Sequence, residues 1–329
     1  MCRDWRAVAQ VAAAVVCASW LAAPATARAD DYPSRPIHII VPTAPGGLAD
    51  LSARVFGQKL TERDKQPVIT ENRPGAGGMI GAEFAAKAPP DGYTLFIGAQ
   101  QTMAILPNLE TKLPYDPVKD FTPVAQLVTA PLILIVHPAV PANSVQSLVA
   151  LAKSEPGGLT YSSAGIGSMG QLAGEEFKLF AAIDVVHVPY KGVAPATQDL
   201  LAGQINMTFD LVSNVTEHVR GGRVRPLAVT VPQRVAALPD VPTMAEAGLP
   251  DVQASNWFAL FAPAGTPRPV VLWLNREANE IFSSPDVRER FEKQSVGLPH
   301  GSPEDLGAYA AGERERWRKV IARAHIKLD

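Results

Sequence analysis

The chain has 329 residues, of which 47% are hydrophobic and 19% charged, so it can bury a sizeable core and is not a disordered chain. Its formal net charge of −2 excludes the strongly basic character of a typical nucleic-acid-binding protein. We therefore expect a globular protein of one large or two ordinary domains, with no nucleic-acid partner.

The first 29 residues have the layout of a secretory signal peptide. Arg3 and Arg6 form a short positive segment, an apolar run extends from Ala7 to Leu21, and the stretch ends in Ala27-Arg28-Ala29. The apolar run is shorter than the roughly 20 residues of a spanning helix, so a membrane anchor is the weaker alternative. We predict cleavage before Asp30 and export, which in a bacterium means the periplasm.

After the leader, short β-branched runs alternate with helical patterns. The predicted strands are Ile37–Val41, Val68–Glu71, Thr94–Ile97, Val124–Val128, Leu132–His137, Leu159–Tyr161, Val185–Val188, Ile205–Phe209 and Val224–Val229. The predicted helices are Asp50–Arg63, Met79–Lys87, Val145–Lys153, Met169–Phe180, Pro195–Leu201 and Val215–Gly221. Leu132–His137 is the most continuous apolar run and is typical of a strand buried on both faces. This order predicts an α/β protein with two similar halves.

The C-terminal third is predicted to be more helical than the rest of the chain. Thr266-Pro267, Ser284-Pro285 and Ser302-Pro303 each place a capping residue before proline, which is typical of a helix start. The last helix carries an apolar stripe that we interpret as core packing; it consists of Leu306, Tyr309, Ala310, Trp317, Val320, Ile321 and Ala324.

Three glycine-rich turns, at residues 42–47, 72–78 and 162–168, each lie between the end of a strand and the start of a helix. Backbone N–H groups at such a position favour an anion, and ligands of open α/β sheets lie at the carboxyl ends of strands. The alternative is that each glycine only permits a tight turn, and the sequence leaves the two interpretations about even.

The third turn contains Gly165-x-Gly167-x-x-Gly170, which resembles a dinucleotide fingerprint. Asp184 has the spacing of a ribose-binding acid, but it stands before the next apolar run and not at its end. The turn is also flanked by serines whose hydroxyl groups suit a carboxylate. We therefore expect no nicotinamide cofactor.

Signals of catalysis and of metal binding are sparse. Cys2 and Cys17 both lie in the leader, so the mature chain has neither a disulfide nor thiol chemistry, and the six histidines form no H-x-x-x-H pair. There is no G-x-S-x-G or G-x-x-x-x-G-K-[ST] motif. We expect no metal, no cofactor and no enzymatic activity.

A few polar residues near strand ends have two interpretations each. His187 and Tyr190 form either an acid–base pair or a strand end followed by a turn, and the turn is favoured. Asp210 either caps the following helix or reaches a ligand amine or a bound water. Trp257 either lines a cleft or packs in the core.

Several segments together resemble the Bug (TctC-like) family, the periplasmic substrate-binding proteins of tripartite tricarboxylate transporters. The segments are Pro45-Gly46-Gly47-x-x-Asp50, Asn72-Arg73-Pro74-Gly75-Ala76-Gly77-Gly78, Ala88-Pro89-Pro90-Asp91-Gly92-Tyr93, Leu113-Pro114-Tyr115-Asp116-Pro117, Tyr161-Ser162-Ser163-Ala164-Gly165, His187-Val188-Pro189-Tyr190-Lys191-Gly192, Phe209-Asp210 and Ala262-Pro263-Ala264-Gly265-Thr266-Pro267. The match runs in the family's order from Tyr32 to the C-terminus.

The resemblance implies a two-domain periplasmic binding protein of type II, a Venus flytrap with mixed sheets flanked by helices. Residues 30–130 and 252–329 would form domain 1, and residues 131–251 would form domain 2. It implies a non-catalytic monomer that closes on a small carboxylate and delivers it to integral-membrane permease subunits. A receptor that signals to a membrane protein is the alternative, and a secreted hydrolase or lyase using Asp210, His187 and Tyr190 is a weaker one.

The resemblance also implies the ligand site. Its residues would be Thr43, Ala44, Gly46, Gly47 and Asp50 of the first turn, opposed by Ser162, Ser163, Gly165, Gly167, Ser168 and Asp210. Thr43 stands where the family usually has an aromatic residue, and Met103, Leu106 and Gln171 replace polar residues of the family pattern. We interpret the changes at 43, 103 and 106 as favouring a ligand with an apolar body.

Overall fold

The computed structural model describes residues 32–109 and 112–326, so the predicted signal peptide lies outside the described residues. The strands are β1 (Ile37–Val41), β2 (Val68–Asn72), β3 (Thr94–Ala99), β4 (Phe121–Val136), β5 (Thr160–Ser163), β6 (Val186–Pro189), β7 (Met207–Leu211), β8 (Arg225–Val229) and β9 (Ser255–Pro263). The helices are α1 (Leu48–Asp64), α2 (Met79–Ala86), α3 (Leu106–Leu109), α4 (Val145–Ser154), α5 (Met169–Ala181), α6 (Val193–Leu201), α7 (Val212–Arg220), α8 (Arg268–Ser283), α9 (Pro285–Glu292) and α10 (Pro303–Arg323).

The strands form a mixed sheet in the order β2-β1-β3-β9-β4-β7-β5-β6, and β8 also pairs with β4. β1 is parallel to β2 and β3, and β5 is parallel to β6 and β7, whereas β9 is antiparallel to β3 and β4. The parallel pairs require helical crossovers, which place helices over the sheet. The predicted class, α/β with mixed sheets flanked by helices, is confirmed.

β4 corrects the prediction of two separate strands at Val124–Val128 and Leu132–His137. It is one strand whose first part, through Pro131, pairs with β9 and whose last residues pair with β7 and β8. No glycine or turn dipeptide interrupts Thr129-Ala130-Pro131, so the chain stays extended. Leu132–Val136 is at most 1% exposed, as the apolar run predicts for burial on both faces.

β9, which fills the sheet between β3 and β4, was not predicted from the sequence. The π-helical turn Gln101–Ile105 that leads into α3 was not predicted either. The helical end of the chain agrees better with expectation. Ser302 caps α10 through a reciprocal capping box with Asp305, and Ser284 immediately precedes α9. α8 begins at Arg268, one residue after the expected proline.

The apolar stripe of α10 packs in the main core, as predicted, and Trp317 in it is fully buried. No helix within residues 32–109 and 112–326 combines the length and apolarity needed to cross a membrane.

A cluster of Glu176, Glu313 and Arg316 joins α5 to α10. Glu176 is fully buried and accepts the Gln253 N–H at 3.0 Å. Arg316 Nε lies 3.9 Å from Glu176 Oε1 and 3.4 Å from Glu313 Oε1. Burial raises the pKa of Glu176 to about 8, although the positive charge of Arg316 opposes this.

Candidate functional site

Two adjoining cavities lie at the ends of the strands, and Met169 and Asn256 line both. The Asp210 cavity, of about 160 Å³, is walled by the β5–α5 turn, α6 and the end of β7. The Gln100 cavity, of about 370 Å³, is walled by the end of β1, the turn before α2, the end of β3 and β9. The pair is therefore lined by both parts of the sheet that β4 connects.

Asp210 is the charged group of the smaller cavity and is 8% exposed. Its Oδ1 accepts the Leu211 N–H at 2.7 Å and the Asn214 side-chain amide at 2.9 Å, and its Oδ2 has a 3.4 Å contact with the Thr197 hydroxyl. Burial raises its pKa above the ordinary value, although these hydrogen bonds oppose the shift. Asp210 therefore bonds Leu211 and Asn214 at the start of α7 and also lines the cavity, and its contact with a ligand stays a prediction.

The third glycine turn contributes side chains more than amides to the Asp210 cavity. Ser163 and Ser168 line it, whereas Gly165 and Gly167 do not. The Gly167 N–H donates to Gln171 Oε1 at 2.6 Å, and the Gly165 N–H donates to Ser163 Oγ at 3.2 Å. These two amides are therefore satisfied within the turn and are not free for an anion.

Two serines near this turn have different roles. The Ser168 hydroxyl donates to Gly165 O at 2.6 Å and caps α5. The hydroxyl of Ser162 is fully buried, has no hydrogen-bond partner and does not line either cavity.

His187 contacts Ser163 and fixes its position, and this Ser163–His187 pair was not predicted from the sequence. Ser163 Oγ and His187 Nε2 are 2.7 Å apart, and the imidazole ring stacks on Tyr161 at 4.7 Å. Burial lowers the pKa of His187, which favours the neutral ring. The other ring nitrogen faces the amide of Gln171 at 3.5 Å, so no carboxylate orients the imidazole as in a Ser-His-Asp triad.

The first turn is organised by Asp50, which is 4% exposed. Its carboxylate accepts the Gly46 N–H at 3.0 Å, Arg54 Nε at 2.9 Å and the Asn72 amide at 2.9 Å. Burial acts to raise the pKa of Asp50, but these hydrogen bonds hold it below its ordinary value.

The other predicted residues of the first turn differ in whether they line a cavity. Thr43 lines the Gln100 cavity with a buried hydroxyl that has no partner. Ala44, Gly46 and Gly47 are exposed and line neither cavity.

The second glycine turn, at residues 72–78, was not among the predicted ligand-binding residues, but it lines the Gln100 cavity through Gly75, Gly77 and Gly78. Gly78 has φ +98°, and a Cβ there would lie 2.8 Å from Thr102 Cγ2, so only glycine fits. The signal was available, because this turn occupies the same strand-to-helix position as the other two.

Gln100 is the other residue that sequence reasoning missed. It is 2% exposed, its side-chain nitrogen contacts Met169 Sδ, and its Oε1 has no partner. No motif marks it, since it lies in the turn between β3 and the π-helical segment. Met103 and Leu106, the apolar replacements, are buried in the core and do not line either cavity; Ile105 does.

Trp257 satisfies both of its interpretations, since it is fully buried and also lines the Gln100 cavity. Its indole N–H donates to Glu313 Oε2 at 3.3 Å. Apart from Asp210, no residue lining either cavity within the described chain is ionisable. The same residues contain no cluster of three or more His, Cys, Asp or Glu that could hold a metal ion.

The chain is similar to known proteins in both sequence and structure. The family profile described as "Tripartite tricarboxylate transporter family receptor" matches residues 52–326. BugT of Bordetella pertussis is 38% identical over 309 residues, which is 94% of this chain and 94% of BugT.

Two solved structures with bound carboxylates are also similar. Rpa4515 of R. palustris with adipate is 35% identical with a TM-score of 0.77, covering 90% of this chain and 99% of that one. MatC of Rhodopseudomonas palustris with bound malate is 34% identical with a TM-score of 0.72, covering 88% and 100%.

Proposed function

The chain belongs to the tripartite tricarboxylate transporter receptor family, and we propose that it is a periplasmic solute-binding protein that captures a small organic carboxylate between two domains. The observation that carries the proposal is the pair of adjoining cavities, which draw their walls from both parts of the sheet and share Met169 and Asn256. A ligand that contacts both walls stabilises the closed arrangement by its differential affinity for that state.

The cavity walls suit an anion held by neutral donors. Thr43, Ser163, Ser168 and Thr197 line the cavities, α5 begins beside them, and the Thr43 hydroxyl has no partner within the protein; the other three hydroxyls would exchange a present partner for the ligand. A micromolar dissociation constant corresponds to about −8 kcal/mol, and each hydrogen bond to a charged group contributes about 1.5–3 kcal/mol. A few such bonds, together with burial of the ligand's carbon chain, are enough. The adipate and malate found in the related structures support a carboxylate as the ligand class.

We propose the domain boundaries expected from the resemblance, with residues 30–130 and 252–329 in one domain and 131–251 in the other. Strand pairing supports them on both crossings. At the first crossing, β4 pairs with β9 up to Pro131 and with β7 after it. At the second crossing, the Ala254 N–H still donates to Thr230 O of the proposed second domain, whereas the next residue, Ser255, pairs with Pro131. The two crossings therefore lie side by side, as a hinge requires.

We also propose that the leader is removed before Asp30, that the mature protein is a monomer, and that it delivers its ligand to integral-membrane permease subunits. A receptor that signals to a membrane protein would share the same site. Binding without turnover is supported by the separation of the three candidate catalytic residues. His187 bonds Ser163, the Tyr190 hydroxyl donates to Asp199 Oδ2 at 2.6 Å, and Asp210 bonds the start of α7.

Calorimetric titration of the mature protein tests the proposal. The protein is unfolded and refolded to remove any co-purified ligand, then titrated with adipate, malate and monocarboxylates, and each mixture is checked for conversion of the acid. We expect at least one carboxylate to bind unchanged with a micromolar or tighter dissociation constant. Ser168→Glu, which places an acid in the cavity wall, should abolish this binding, whereas Ser283→Glu, at an exposed position at the end of α8, should not. Absence of carboxylate binding in the folded wild-type protein would refute the function.

A further inference from the structure

We propose that the ligand carries one carboxylate and, at its other end, a hydrogen-bond donor that Asp210 recognises. The inference rests on the proposed function and narrows its ligand class. The preferred ligands are thus ω-amino or ω-hydroxy acids, and simple dicarboxylates are disfavoured. Asp210 is the specificity-determining residue of this choice.

The hydrogen bonding of Asp210 leaves one carboxylate oxygen available. Oδ1 already accepts two short hydrogen bonds, from the Leu211 N–H at 2.7 Å and the Asn214 amide at 2.9 Å. Oδ2 has only the Thr197 hydroxyl at 3.4 Å, beyond the usual O–H···O range of about 2.5–3.0 Å. The Asp210 side chain is more than nine-tenths buried, so its weakly paired Oδ2 needs a further hydrogen-bond donor. A ligand in the Asp210 cavity can supply that donor.

The charge of the cavity walls sets the preference against a second carboxylate. No Lys, Arg or His lines either cavity within the described residues, so a carboxylate beside Asp210 would meet a like charge with no counterion in the cavity walls. An ammonium or hydroxyl group would instead complete the coordination of Oδ2. Because burial raises the pKa of Asp210, a bound donor would also offset part of the cost of keeping this carboxylate ionised.

The Gln100 cavity has the complementary character and would hold the ligand's own carboxylate. Its walls carry no ionisable side chain, and the buried Thr43 hydroxyl there has no partner. A carboxylate oxygen would accept from this hydroxyl. The ligand would then extend past Met169 and Asn256, which line both cavities, and present its donor to Asp210.

The test compares acids of matched length on the refolded wild-type protein. Adipate is compared with 6-aminohexanoate, 6-hydroxyhexanoate and hexanoate, and the same sets are built on glutarate and succinate. We expect an amino or hydroxy acid to bind at least about tenfold more tightly than the matching diacid and the matching unsubstituted acid, equivalent to about 1.4 kcal/mol. The amino and hydroxy members together identify which donor Asp210 takes.

Asp210→Asn should reduce the affinity for the preferred donor ligand about tenfold or more and increase that for the diacid. Asp199→Asn is the control, because Asp199 bonds Tyr190 and lines neither cavity. A diacid that binds as tightly as its donor counterparts overturns this inference while leaving the proposed function intact. If no acid of any set binds, both fail. The wild-type ratios decide the question even if the variant does not fold.

Discussion

Replacement of Glu176 by glutamine tests the buried cluster between α5 and α10. Glutamine has nearly the same shape as a protonated glutamic acid, so the variant keeps the neutral form that burial favours. The folded pKa of about 8 lies far above the ordinary value of 4.5. The folded protein therefore retains a proton on Glu176 that the unfolded chain releases between these two values.

The direction of the pH dependence follows from this proton. The stabilisation due to Glu176 is complete below about pH 4.5, and it is lost progressively as the pH rises to about 8. Between about pH 5 and 7 the folded state binds one more proton than the unfolded state, so the free energy of unfolding falls by about 1 kcal/mol per pH unit. Glu176→Gln removes this dependence.

Urea unfolding at pH 5, 6, 7 and 8 measures the effect. The free energy of unfolding of Glu176→Gln minus that of the wild type should increase by about 2–3 kcal/mol from pH 5 to 7, because other titrating groups cancel in the difference. Glu292→Gln, which removes an exposed carboxylate from α9, controls for the loss of one acid. A difference that stays constant across this range would mean that Glu176 is ionised and paired with Arg316, and the argument from burial would be wrong.

Three other predictions concern packing and the site. Gly98→Ala would place a methyl group 2.4 Å from the Phe261 ring and should destabilise the protein by about 1–3 kcal/mol, whereas Gly312→Ala, at an exposed position of α10, should stabilise it by about 0.5–1 kcal/mol; urea unfolding compares the two variants. We expect a bound carboxylate to change tryptophan emission because Trp257 lines the Gln100 cavity, and Trp257→Phe should abolish that change while binding measured by calorimetry persists; an undiminished change would mean that another tryptophan responds. Asp50→Ala should lower the free energy of unfolding by about 1–3 kcal/mol, because the donors around its carboxylate lose their acceptor, and an unchanged urea midpoint would contradict this.

The alternation of strands and helices could be predicted because it depends on local patterns. The capping residue before proline located the starts of α9 and α10, and the continuous apolar run located the buried end of β4. β9 was not predicted, and β4 was predicted as two strands, because neither the position of β9 nor the continuity of β4 depends on a local sequence pattern. β9 is a central strand only because β3 and β4 pair on both sides of it, which no pattern within residues 255–263 reveals.

The candidate site shows the same division. Ser163, Ser168 and Asp210 line a cavity because the carboxyl ends of neighbouring strands meet at one edge, and that could be expected from their positions. The amides of Gly165 and Gly167 could not be judged in this way, because their partners are side chains of the same turn and of α5. Gln100 reaches the site through tertiary packing, for which the sequence carries no spacing signal, whereas the glycines before α2 share the strand-to-helix position of the other two turns.

The position of β9 in the chain also affects the order in which the protein can fold. β4 pairs Phe121 with Pro263, so the sheet portion built on β1, β2 and β3 remains open until the last third of the chain is available. The strands that follow Pro131, from the end of β4 to β8, find their partners within about a hundred residues and can assemble earlier. A chain that ends before β9 would leave β3 and the first part of β4 as unpaired edges that invite aggregation. The sheet can therefore close only when the chain through β9 is available.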